Sequence, residues 1–315
     1  MKIVLLESLG VPDHVLEAHV RPLLNGGHTF ASFPRDPDPN VQIARAADAD
    51  VILIANMPLR GEVIDACPNL KFIDVAFTGV DHVDLEAARA RGIRVSNAAG
   101  YATQAVAELT VCMMLSLLRR VPQMEERCRA GETGAGLLGS ELQGKTVGII
   151  GTGAIGRRTA MLCRAFGCHV LGYRRHVLGI EPDFIEFVPL ETLLAQSDIV
   201  SLHCPLNQDS AGLINQKTIA GMKPGAILIN AARGPVVDSL ALAEALNSGY
   251  LGGAGIDVFE GEPPLPLHHP LLHSRNTIVT PHIAFSSQQS LEARCSILFD
   301  NLAKWMEGKQ INIIL

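Results

Sequence analysis

The stretch KTVGIIGTGAIG (Lys145–Gly156) constrains the fold more than any other part of the chain. A short apolar run ends in G-x-G-x-x-G and opens directly into a helix-period segment, Ala154–Phe166. Each glycine has a mechanical task in such a unit. Gly151 permits the tight turn, Gly153 lets the backbone approach a diphosphate, and Gly156 lets the helix pack closely on its strand. The first helical N–H groups, around Ala154 and Ile155, add partial positive charge. The motif alone means little in a chain with 29 glycines. Flanked by strand and helix, it marks a dinucleotide-binding βα unit.

The same rhythm runs through the rest of the chain. Strands are expected at Lys2–Glu7, Asp50–Ala55, Lys71–Ala76 and Ile93–Asn97. A second series is expected at Thr146–Ile150, His169–Tyr173, Ile199–His203, Ala226–Asn230, Gly255–Val258 and Thr277–Thr280, with helical patterns between. Hydrophobic residues make up 48% of the 315 residues and aromatics only 4%, so aliphatic side chains fill the core. That composition suits parallel sheets buried on both faces. The expected fold is α/β with two doubly wound parallel-sheet domains: a Rossmann-type cofactor domain at residues 99–284, and a smaller flavodoxin-like substrate domain at 1–98. Thr103–Val121 reads as one long helix, apolar nearly all round and therefore buried. The helical segment Ser287–Glu307 is expected to return to the first domain, completing it with residues 285–315, and only INII could form a later strand.

Composition excludes several functions. A net charge of -6 with scattered Lys and Arg disfavours binding to nucleic acid. Seven cysteines without a C-x-x-C pair read as buried thiols of a reducing compartment, with neither disulfide framework nor metal site. The N-terminus lacks a signal-peptide pattern and no apolar run could span a membrane. A soluble, cytoplasmic protein without nucleic-acid or membrane partners is expected.

An acid usually follows the second strand of a dinucleotide fold and binds the ribose hydroxyls. Here the stretch HVLGYRRHVLGI (His169–Ile180) holds none and places Arg174 and Arg175 instead. Guanidinium groups suit a 2′-phosphate, so NADP is the preferred cofactor and NAD remains possible. The competing reading leaves these arginines solvated or stacked on adenine.

Three later motifs fall at strand ends, where open α/β sheets hold ligands. They are LINAARGPVVD with Arg233, GIDVFEGEPP with Glu262, and TIVTPHIAFSS with His282. Together with FTGVDHVDLEAARARGIRVSNAAGYATQAVAEL (Phe77–Leu109), they make the chain resemble the D-isomer-specific 2-hydroxyacid dehydrogenase family across essentially its full length. The resemblance implies that Arg233 grips the substrate carboxylate and carbonyl oxygen, that His282 is the acid/base, and that Glu262 orients it. The chemistry fits those roles. Reducing a keto group needs a proton at oxygen as hydride reaches carbon, and imidazole exchanges protons readily near neutrality.

Other expectations are less specific. In SLHCPLN, His203, Cys204, Pro205 and Asn207 are expected at the cofactor, as are Thr103 and Ala231. Asp257 is expected near the nicotinamide amide, and Asp238 reads equally as a helix cap. Thr78 and Gly79, within Phe77–Val80, offer backbone N–H groups for a carboxylate, and Asn56 and Met57 are expected to face the substrate's side chain. The resemblance to formate-oxidising relatives would require Gln in place of Glu262. A phosphoglycerate-oxidising branch often carries a regulatory domain, which is not expected in a chain ending at Leu315. The favoured reaction is hydroxypyruvate or glyoxylate reduction; the resemblance implies a homodimer joined through the cofactor domain, with Thr103–Val121 as the candidate interface. The alternative is a nicotinamide-binding redox sensor or co-repressor.

Overall fold

The computed structural model describes residues 1–175 and 182–315. The part of the acid-free stretch at 176–180 lies outside the described residues. The chain divides into two compact units, Met1–Ala102 with Ser286–Leu315, and Thr103–Phe285.

The first unit holds a five-stranded sheet: β1 (Lys2–Leu5), β2 (Thr29–Ser32), β3 (Val51–Ile54), β4 (Phe72–Val75) and β5 (Arg94–Asn97). The order is β2-β1-β3-β4-β5, parallel throughout, which is the flavodoxin-like order. β3 and β4 are buried at every position; β3, VILI, is an unbroken apolar run, whereas β4, FIDV, buries Asp74 within it. β2 adds a strand to the four expected. It is a half-exposed edge strand, TFAS, with no apolar run to announce it. Helix Gln288–Met306 returns to this unit and packs Cys295, Leu298, Phe299 and Leu302 against Ile3, Leu5, Leu53 and Phe72. INII contributes one antiparallel bridge, Ile313 to Ser96, in place of a strand.

The second unit holds β6 (Thr146–Ile150), β7 (His169–Tyr173), β8 (Glu186–Phe187), β9 (Ile199–Leu202), β10 (Ile227–Asn230), β11 (Gly253–Ile256) and β12 (Thr277–Val279). Its order, β12-β11-β10-β9-β6-β7-β8 and all parallel, reverses direction between β9 and β6. Doubly wound sheets bind ligands at the carboxyl ends of such a switch. β11 starts two residues earlier than Gly255–Val258, because a GAGI strand carries little apolar signal at its start. The long helix is Thr103–Leu118, and a left-handed Arg120 (φ 54°) separates it from a second helix, Val121–Arg129. One side is buried through Val106, Thr110, Met113, Met114 and Leu117, whereas Glu108 and Cys112 are exposed. The apolar composition therefore overstated its burial. Among the described residues no helix is long and apolar enough to cross a membrane.

Candidate active site

The dinucleotide turn follows β6. Gly151 is left-handed at φ +94°, and a Cβ there would lie 2.6 Å from the Cys204 amide nitrogen. A Cβ on Gly156 would lie 2.0 Å from the Gly151 carbonyl oxygen, so only hydrogen fits where the helix crosses the turn. Gly153 is the opposite case, since a Cβ there would meet nothing within 4 Å. The helix Ala154–Ala165 starts at Gly153 without a side-chain cap. Its first N–H groups and positive dipole end are thus available to an anion. The turn fits the diphosphate of a dinucleotide.

Around the turn, burial pushes the His203 imidazole down to about 4, so the ring is neutral at pH 7 and acts through hydrogen bonding. One of its nitrogens lies 3.0 Å from Ser201 Oγ. Cys204 is half-buried, with burial raising its thiol. The Pro205 carbonyl accepts from Ser210 Oγ at 2.6 Å. Asn207 Oδ1 accepts from the amides of Asp209 and Ser210 at 3.0 and 3.2 Å and shapes its own turn. Arg175 pairs with Asp209 at the surface, and Arg174 is half-buried. Thr103 and Ala231 are half-buried, at the start of the long helix and just past β10.

The three motif side chains emerge from neighbouring strands. Asn230 pairs with Ile256 and Ile256 with Val279, which aligns the carboxyl ends of β10, β11 and β12. Arg233, Glu262 and His282 follow those ends in turn. Asn230 steadies the first loop by donating Nδ2 to the Arg233 carbonyl at 3.0 Å and accepting the Ala232 amide at 3.1 Å. Gly234 then passes so close to the next loop that a Cβ would lie 1.8 Å from the Phe259 carbonyl oxygen. Sequence reading missed that contact, whose only signal is the glycine after Arg233.

His282 Nδ1 lies 2.9 and 3.0 Å from the two carboxylate oxygens of Glu262. A carboxylate accepts and does not donate, so Nδ1 carries a proton and Nε2 is left to exchange one with a substrate. The His282 side chain is 12% exposed and packs edge-on against Phe285. Its backbone is left-handed at φ +55°, with the amide donating to the Asp257 carbonyl at 2.8 Å. The Asp257 carboxylate holds the rest of the loop. It accepts Thr280 Oγ1 at 2.5 Å, the Ile283 amide at 2.8 Å and the Ala284 amide at 2.9 Å. Asp257, expected near the nicotinamide amide, is fully buried, and its carboxylate holds the loop that carries His282. Asp238 caps helix Ser239–Asn247 through the amides of Leu240 and Ala241.

In the first unit, the amides of Thr78, Gly79 and Val80 make no hydrogen bond among the described residues. Asn97 Nδ2 donates to the Thr78 carbonyl at 2.7 Å and fixes the turn. Such a run of unpaired N–H groups offers donors to an anion. Asn56 is half-buried, but Met57 is fully buried. Met57, expected to face the substrate's side chain, packs in the core of this unit. Glu7 and Arg35, not singled out in the sequence, hold this loop. Glu7 Oε1 accepts the Ala55 and Met57 amides at 2.8 Å each. Among the described residues no group of His, Cys, Asp or Glu is arranged to hold a metal.

Residues 111–284 match the family model described as D-isomer specific 2-hydroxyacid dehydrogenase, NAD binding domain. A glyoxylate reductase of Thermofilum pendens is 39% identical over 291 residues, covering 90% of this chain and 85% of that one. A hydroxypyruvate reductase of Blautia hydrogenotrophica is 35% identical over 282 residues, covering 86% and 87% respectively. The crystal structure of a glyoxylate reductase from Paecilomyes thermophila superposes with a TM-score of 0.89 at 29% identity, covering 100% of this chain and 98% of that one.

Proposed function

The chain belongs to the D-isomer-specific 2-hydroxyacid dehydrogenase family, and from that premise we propose that it reduces hydroxypyruvate and glyoxylate with a preference for NADPH. The reaction class, interconversion of small 2-keto and 2-hydroxy acids, comes with the family. The observation that carries the site assignment is the His282–Glu262 pair on the same sheet rim as Arg233 and the dinucleotide turn.

A dinucleotide held by its diphosphate at that turn would supply hydride, from its nicotinamide, to the substrate's C2. Arg233 forks onto the substrate carboxylate and carbonyl oxygen and stabilises the negative charge that grows on that oxygen. His282 donates the Nε2 proton to the same oxygen, completing the hydroxyl, and the Glu262 carboxylate steadies the ring's orientation. In the first unit, the N–H groups at Thr78 and Gly79 offer donors to a carboxylate, and Asn56 is assigned to the substrate's side chain. A redox sensor or co-repressor that only bound nicotinamide would not need this proton-transfer pair.

Arg174 and Arg175 support the NADPH preference. The Arg175–Asp209 pair is 63% and 55% exposed. Such a surface pair contributes about 0–1 kcal/mol, so a 2′-phosphate can displace it. Homodimer formation is supported by an apolar groove of about 380 Å³ whose lining includes Val111, Cys112, Leu115, Val121, Leu162 and Phe166. The seven free cysteines support a reducing, cytoplasmic setting.

The test is a panel of 2-keto acids assayed with NADPH and NADH by loss of reduced-nicotinamide absorbance. Turnover of glyoxylate and hydroxypyruvate with higher kcat/KM for NADPH is expected. Failure of every acid would sink the reaction, and a clear advantage for NADH would sink the cofactor preference.

A further inference from the structure

We infer that Glu7, Arg35 and Asn56 together set the hydrogen-bonding polarity of the substrate side-chain subsite, selecting 2-keto acids with an oxygen acceptor on C3 over alkyl ones. The inference rests on the proposed function, with Asn56 at the substrate's side chain, and names the residues that tune its specificity.

Glu7 is only 4% exposed. A carboxylate so placed needs hydrogen bonds to remain charged. Oε1 takes the Ala55 and Met57 amides, which bracket Asn56 and hold the loop after β3. Oε2 takes Arg35 Nη1 at 2.9 Å. The same Nη1 donates to Asn56 Oδ1 at 2.8 Å, one hydrogen for each acceptor. A guanidinium has donors and no acceptor, so the Asn56 amide can meet it only through oxygen. Its NH₂ group is thereby turned the other way. That NH₂ hydrogen-bonds nothing among the described residues.

The consequence is chemical. A subsite presenting N–H donors complements a hydroxyl or carboxylate oxygen on C3. An alkyl group of the same size leaves those donors desolvated and unpaired, and sites built to bond a hydroxyl discriminate strongly against such analogues. Without Arg35 the amide is free to turn over and present oxygen, and the selectivity is lost. Arg35 is thus a positioning residue acting through Asn56.

Three acids separate the possibilities. Hydroxypyruvate carries the C3 hydroxyl, 2-oxobutyrate replaces it with methyl, and glyoxylate has no C3. In Arg35→Met the hydroxypyruvate to 2-oxobutyrate ratio of kcat/KM is expected to fall about tenfold, through KM for hydroxypyruvate more than kcat. Arg35→Lys, which retains a donor, is expected to restore most of the ratio. The Arg35 side chain is 42% exposed, so these variants are expected to fold. Asn56→Leu is expected to lower the ratio as well, and the double variant with Arg35→Met to lower it no further. A ratio within twofold of wild type in Arg35→Met, or equal losses on all three acids, overturns the inference. Wild-type protein active on glyoxylate with an unmoved ratio in Arg35→Met overturns this inference alone. A wild type inactive on all three overturns the proposed function, and this with it.

Discussion

Each unit fastens a functional loop to a buried carboxylate, and the two fastenings are completed differently. Asp257 receives a hydroxyl and two amides, all from the stretch Thr280–Ala284 that carries His282. Glu7 receives two amides around Asn56 and then a guanidinium that is 42% exposed. The first arrangement contains no mobile or exchangeable member, which suits a group that must meet a reacting oxygen in one geometry. The second keeps one adjustable partner, so the loop's presentation can change without unfastening its backbone. On the proposed function, rigidity serves the chemistry and adjustability serves the choice of substrate.

The sharpest way to test that division is to remove the group Asp257 positions. His282→Ala is expected to lower kcat by about 10²–10⁴-fold, with a much smaller change in dinucleotide affinity measured by calorimetry. Retained turnover would break the assignment.

Acid probes the second unit separately. The His203 imidazole titrates at about 4 in the folded protein because burial disfavours its charge, against roughly 6.5 when unfolded. Between those values the unfolded chain binds a proton that the folded chain refuses, so stability is lost as pH falls from 6.5 toward 4. The loss amounts to about 3 kcal/mol. Urea unfolding across that range should show it, and His203→Gln should flatten the slope. An unchanged slope would remove His203 as the cause.

The carboxylates can then be compared directly by the same unfolding measurement. In Asp257→Asn the amide must turn its NH₂ toward a donor, at a cost of about 2 kcal/mol. In Glu7→Gln the oxygen can keep both loop amides while NH₂ faces Arg35, which can swing into water, and about 1 kcal/mol is expected. Equal costs would erase the distinction between the two fastenings.

The smallest effect concerns Asp74 in the first unit. Burial raises its carboxyl well above the usual range, with Asn301 Nδ2 donating to it at 3.0 Å as a partial offset. The folded chain keeps a proton that the unfolded chain has already released, so stability declines as pH rises through that window. Asp74→Asn is expected to raise Tm by a few degrees at pH 8 and less at pH 4. The opposite ranking would show that Asp74 is ionised in the fold.

How much of this was readable in the chain depended on how local the constraint was. The Gly151–Gly156 turn, the alternation of strands and helices, and the rim positions of Arg233, Glu262 and His282 are written in contiguous residues. β2 and β8 were invisible because TFAS and EF lie at or near sheet edges, where neither needs an apolar run. The part played by Asp257 depends on donors 23–27 residues away, and that of Glu7 on partners at separations of 28, 48 and 50. No local pattern encodes such pairings. Asn207 and Met57 show the same limit. Their residue types suit a binding site, yet the fold turns one onto its own backbone and the other into the core.

The left-handed backbone of His282 has a practical corollary. Few side chains tolerate that conformation, and asparagine is among those that do. Exchanging His282 for asparagine would therefore keep the loop's path while discarding its proton carrier. The result would be a quiescent twin of the enzyme, suited to holding an unconverted pair of ligands long enough for diffraction or spectroscopy.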